Sequence, residues 1–126
     1  MEKQEIVITS GTYDPLSIED LNLLKYCKRK GNWLIVGLHS DKWMETVEGG
    51  IMQPFRVRRE ILLNLRLVDE VFGFDDTDGT LCKLLKVTKA CYPHTKITYI
   101  SGMNMNNTPE LKIAGVKFEQ ILIKEK

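Results

Sequence analysis

At 126 residues, 43% hydrophobic and 28% charged, the chain has the length and balance of one ordinary folded domain, which excludes disordered and fibrous classes. Lysine and arginine total 18 against 17 acidic residues, a net charge of +1, so no overall field draws the chain to nucleic acid or to an anionic membrane. Any anion site must be local.

The opening, MEKQEIVITSG, has acidic residues where a secretory signal has basic ones, and no run in the chain nears the ~20 apolar residues that span a bilayer. A cytoplasmic protein is expected. Residues 5–9 (EIVIT) are apolar and β-branched, and Ser10, Gly11 and Thr12 follow at once, as a buried parallel strand entering a loop requires. From 17 to 30, Ile18, Leu21, Leu24 and Cys27 recur at spacings of three, Ser17 can cap and Gly31 terminates, which predicts an amphipathic helix. Residues 32–38 (NWLIVGL) complete a strand, helix, strand unit with a right-handed crossover. Residues 40–53 contain Gly49 and Gly50 with little periodicity and read as a helical turn followed by a mobile loop.

Residues 54–67 (PFRVRREILLNLRL) place Val57, Ile61, Leu62 and Leu65 on one face and Arg56, Arg59 and Glu60 on another, a surface helix packed on a sheet. A strand over 68–74, an acidic turn over 75–79, a helix over 80–92 and a strand over 96–100 follow. Thr108 and Pro109 sit where an N-cap and first helical residue belong, Gly115 stops that short helix, and 116–123 supply a last strand. The alternation predicts an α/β fold, a single doubly wound, Rossmann-like parallel sheet of about five strands flanked by helices. Such sheets bind ligands beyond the carboxyl ends of their strands at a topological switch point, which directs attention to the loops at 10–17, 39–53 and 101–108. Cys27, Cys82 and Cys91 lack CxxC spacing, and His39 and His94 are far apart, so neither a disulfide framework nor a metal site is expected.

Three blocks carry a resemblance. Gly11, Thr12, Tyr13 and Asp14 form a Gly-Thr-aromatic-Asp turn followed by LSIEDLNLLKYCKRKGNWLIVG and HSDKW; residues 55–71 read FRVRREILLNLRLVDEV; and Ile100, Ser101 and Gly102 close the fourth strand. The chain resembles, over nearly all of 1–126, the glycerol-3-phosphate cytidylyltransferase branch of the nucleotidyltransferase superfamily. The resemblance implies a reaction of a nucleoside triphosphate such as CTP with a phosphorylated alcohol, releasing pyrophosphate without a covalent intermediate, so that catalysis is positioning and charge stabilisation. It also implies Mg²⁺ if the chain is active, and a homodimer. Carried over residue by residue, it implies nucleotide contacts from Gly11, Thr12, Tyr13, Asp14, Ser17, Arg58, Arg66, Ser101 and Gly102, with Lys124 in the place of a phosphate-binding arginine.

The departures fall on the triphosphate side. Where that family has His-x-Gly-His at the first helix's start, this chain has Ser17, Ile18, Glu19 and Asp20. A carboxylate ~4 Å from a phosphate charge costs about 4 kcal/mol at an effective dielectric of about 20. The loop that carries lysines in the family reads ETVEGG over 45–50, Gly102 is followed by Met103 rather than Asp, and no Arg-Thr-x-Gly-Ile-Ser-Thr-Thr motif follows the last strand. Two readings of Ser17, Glu19 and Asp20 stand: a capped helix start, or carboxylates holding a divalent cation that recruits phosphate. Arg58 and Arg66 read either as a solvated helix face with stems packed on the sheet or as residual nucleotide contacts. Asp69 reads as structural. The Asn-rich loop over 101–107 supplies turn conformations or a site for a different ligand. No catalytic residue is assigned. The expected function is a nucleotide- or protein-binding module on a cytidylyltransferase-like fold, with a metal-assisted active enzyme as the alternative.

Overall fold

A computed structural model describes residues 4–102 and 108–121. The expectations for the loop over 103–107, for the end of the last strand at 122–123 and for Lys124 lie outside the described residues. Five parallel strands, β1 (Glu5–Gly11), β2 (Trp33–Leu38), β3 (Glu70–Gly73), β4 (Lys96–Ser101) and β5 (Val116–Gln120), form one sheet in the order β3-β2-β1-β4-β5. The helices are α1 (Ile18–Arg29), α2 (Asp41–Trp43), which runs into a π-helical turn (Met44–Glu48), α3 (Phe55–Leu63) and α4 (Cys82–Cys91), with a 3₁₀ turn (Pro109–Lys112) before β5. The doubly wound, Rossmann-like sheet expected from the alternation is the observed one.

The strand alternation builds two cores. Val7 in β1 faces α1 and α3 with Leu24, Cys27, Leu34, Val36 and Leu62, while Ile6 and Ile8 face α4 with Ile35, Leu84, Leu85, Ile97 and Tyr99. Each fully buried Leu or Ile contributes roughly 1.5–3 kcal/mol by leaving water. Gly37 is what lets α4 approach β2, since a Cβ there would stand 2.3 Å from Leu84 Cδ2. Because β1 pairs with β2 on one side and β4 on the other, the chain reverses direction of growth between β1 and β4, and the switch point lies at their carboxyl ends.

Several boundaries differ from expectation. α3 stops at Leu63 rather than 67 because the Asn64 N–H closes on the Ile61 and Leu62 carbonyls and its side chain donates to Glu60 O at 2.8 Å. β3 accordingly starts at Glu70. α4 begins at Cys82, since Asp78 binds both the amide and the hydroxyl of Thr80 at 2.9 Å and holds that residue in a turn. Trp33 is half-buried, and its indole N–H donates to Glu70 at 2.9 Å. Asp69 is structural as read: its carboxylate accepts the Leu34 amide at 2.8 Å and the Lys28 ammonium at 2.6 Å.

Candidate functional site

The carboxyl ends of β1 and β2 meet a polar network centred on one buried guanidinium. Arg58, fully buried on α3, donates from Nε to Gln53 O at 2.9 Å, from Nη1 to Thr12 O at 3.1 Å and His39 O at 3.0 Å, and from Nη2 to Asp41 at 2.6 Å. Three loops are thereby tied to one side chain. The reading of Arg58 as a solvated helix face is corrected: every nitrogen is engaged by the protein's own oxygens, and the side chain sits beneath the site rather than in it. Asp14 completes the network, its Oδ2 accepting the Met52 amide and its Oδ1 the Gln53 amide, both at 2.7 Å.

The turn leading to Asp14 is compact. Tyr13 has φ 49°, in the left-handed region that L side chains rarely adopt, and its ring is 4% exposed, packed where a Cβ on Gly11 would come within 3.0 Å. Burial raises its phenol well above the ordinary value, with the Asp20 charge second, and its hydroxyl has no hydrogen-bond partner among the described residues. Tyr13 is therefore a core residue of this turn. Thr12 and Asp14 line a cavity of about 400 Å³ with Met44, Glu48, Gly49, Gly50, Ile51 and Met52.

At the start of α1, Ser17 Oγ accepts the Asp20 amide at 3.1 Å while Asp20 Oδ2 accepts the Ser17 amide at 2.9 Å, a reciprocal capping box. Of the two readings of Ser17, Glu19 and Asp20, the geometry is that of the capped helix start. Ser101 is buried at the end of β4, where its carbonyl accepts the Ile121 amide at 2.9 Å, and Gly102 is partly exposed beside it. Thr9 Oγ1 donates to Ile100 O at 2.7 Å and Ser10 pairs with the Tyr99 hydroxyl at 2.7 Å, so hydroxyls rather than charges line the switch between β1 and β4. Gly11, Thr12, Tyr13, Asp14, Ser17 and Arg58 thus converge at the carboxyl end of the sheet, with Ser101 and Gly102 at the end of the neighbouring strand. Arg66 does not join them. It is exposed in the turn between α3 and β3, at the end of the sheet where the strands begin.

One cluster was not singled out from the sequence. His39, 8% exposed, stacks on Trp43 with ring centroids 3.8 Å apart, and its Nδ1 lies 2.9 Å from Asp76 Oδ2. Asp76 also accepts the Ser40 amide at 2.9 Å and the Ser40 hydroxyl at 2.8 Å. Burial pushes the His39 ring below its ordinary value against the pull of Asp76, so the ring is neutral near pH 7 and Nδ1–H donates. Burial raises Asp76, but the Ser40 amide, His39 and the Ser40 hydroxyl outweigh it and lower its carboxyl. His39 contributes stability that is present above the ordinary histidine value of 6.5 and is lost as pH falls through the lower folded value; Asp76 repeats this below 3.8. Stability measured by urea denaturation is expected to be lower at pH 5.5 than at pH 7.5, and His39→Phe is expected to remove that difference. The signal available in sequence was only that His39 follows a strand directly and Asp76 lies in the acidic turn after the next one.

No family model matches the chain. Bifunctional protein HldE of Sulfurimonas denitrificans is 34% identical over 87 residues, which are 66% of this chain and 18% of that protein. Glycerol-3-phosphate cytidylyltransferase of Bacillus subtilis is 34% identical over 65 residues, 52% of this chain and 50% of that enzyme. The aligned stretch is therefore half or less of these curated relatives. Among solved structures, the lipopolysaccharide core biosynthesis protein of Thermoplasma volcanium superposes with a TM-score of 0.74 at 18% identity, covering 97% of this chain and 99% of that one. A bifunctional NMN adenylyltransferase/ADP ribose pyrophosphatase of Francisella tularensis gives 0.65 at 13% identity, covering 98% and 38%. The class so defined is the nucleotidyltransferase α/β fold. Within it the sequence likeness is to the cytidylyltransferase-like branch, the one that the turn at Thr12 to Asp14 and the block on α3 resemble.

Proposed function

We propose that this cytidylyltransferase-like domain no longer transfers nucleotidyl groups and serves as a binding module for a nucleotide or a protein. The observation that carries the reading is the first turn of α1, where the amides that a helix start offers to phosphate are met by the domain's own Ser17 and Asp20, and Glu19 adds a second carboxylate. Arg58, a cation close to this face, is buried, and its nitrogens are taken by the protein's own oxygens. The donor set does not fit a divalent ion either: Asp20 Oδ2 holds the Ser17 amide, and among the described residues no three His, Cys, Asp or Glu side chains are grouped for one.

A cytoplasmic location, expected from the composition of the sequence, and a homodimer, implied by the resemblance, belong to the same proposal. Among the described residues no helix is long and apolar enough to cross a membrane. With each nucleoside triphosphate, Mg²⁺ and a panel of phosphorylated alcohols that includes glycerol 3-phosphate, pyrophosphate release is expected to stay at the buffer rate, while calorimetry on the same samples reads nucleotide binding. Turnover that Asp14→Ala abolishes would overturn the proposal and restore the metal-assisted enzyme. No turnover and no nucleotide binding leaves the protein-binding form.

A further inference from the structure

The segment from Asp41 to Glu48 is a wall between two cavities. Met44 and Glu48, four apart, face the cavity of Thr12 and Asp14; Lys42, Trp43, Thr46 and Val47 line a second one of about 220 Å³, closed on its far side by Asp76, Thr77 and Gly79. The two share no lining residue. The second cavity is therefore outside the presumed nucleotide site, and what it binds does not depend on the fate of nucleotidyl transfer.

Its chemistry is specific. The indole of Trp43 is braced by the His39 ring at 3.8 Å, and His39 is fixed in turn by Asp76, so this aromatic surface is held in place before any ligand arrives. Asp76 is occupied by the Ser40 amide, the Ser40 hydroxyl and His39. Lys42 is the cavity's cation and has no ion pair among the described residues. Val47, 58% exposed, adds apolar surface at the mouth. We propose that this cavity is a binding site for a small planar aromatic molecule bearing one anionic group, its ring against Trp43 and its anion toward Lys42. The volume admits one or two fused rings, and a rigid aromatic wall with a single polar anchor is the composition of small-molecule sites.

2-Naphthoate is the probe. Titrated into the ¹⁵N-labelled chain, it is expected to shift the amides of 40–47 and 76–79 saturably, with a Kd on the order of 1 mM or tighter for its 13 or so heavy atoms. Lys42→Met is expected to weaken 2-naphthoate about threefold and to leave neutral 2-naphthamide unchanged, the size of one exposed charge pair. Val47→Glu, a change at an exposed position that does not threaten folding, is expected to weaken binding at least tenfold by placing a carboxylate at the mouth. Cyclohexanecarboxylate, which cannot stack, is expected to bind several-fold more weakly. Shifts that never saturate, shifts centred on 12–14 and 48–52, or equal affinity for the aliphatic acid would each overturn the assignment.

Discussion

Replacing Arg58 with methionine is expected to lower the unfolding free energy by about 3–5 kcal/mol, the range for breaking a buried charged network by removing one partner. The change keeps the stem and deletes the guanidinium, leaving the carbonyls of Thr12, His39 and Gln53 without this donor, while the Asp41 carboxylate, 37% exposed, turns to water. Arg58→Lys is expected to recover less than half of the loss, because an ammonium on a flexible stem cannot serve four oxygens fixed for a planar fork. Urea denaturation of the three proteins checks both statements. A loss below about 1 kcal/mol for the methionine variant would mean that the network orders the loops without stabilising the fold.

Asp14→Ala is the second large effect, expected to cost about 2–3 kcal/mol, since hydrogen bonds to a charged acceptor are worth more than neutral ones and two are lost together. The consequence is local as well as global. The amides of Met52 and Gln53 are expected to exchange with solvent at least tenfold faster, and the effect should fade within a few residues of them. Asp14→Asn separates charge from shape: its carbonyl oxygen accepts one amide, its NH₂ meets the other as a donor, and a result close to alanine identifies the second acceptor as the quantity that matters. If exchange at 52 and 53 is unchanged in Asp14→Ala, the carboxylate does not hold the segment that leads into α3.

The sheet was legible because each strand is an apolar run closed by turn residues and each helix has a cap or a stop in the sequence, as with Ser17 and Gly31 around α1. The branch was legible from the turn at Thr12 to Asp14. What was missed concerns which partners a polar side chain finds. Arg58 lies four residues before Leu62 and three after Phe55, on the buried stripe of α3, and reading the stripe without regard to residue type would have placed it inside. Charge made it look like surface, because arginine is seldom buried without partners, and its partners are backbone carbonyls that no sequence pattern displays. The pair of His39 and Asp76 is 37 residues apart and meets only because β2 and β3 are neighbours in register, Leu38 opposite Gly73. Arg66, exposed as one of its two readings had it, lies away from the carboxyl ends of the strands because the Asn64 cap ends α3 early and the chain then turns into the start of β3.

The central position of β1 also has a consequence for synthesis. Its pairing with β2 is reached through α1 alone, so that unit can assemble as soon as it leaves the ribosome, whereas the second neighbour, β4, joins through partners such as Thr9 and Ile100, 91 residues apart. At roughly 5–20 residues per second, the second edge of this central strand waits on the order of 5–20 s for its mate. During that interval the nascent chain presents an apolar strand with one unpaired row of backbone groups, the form in which β structure recruits other chains.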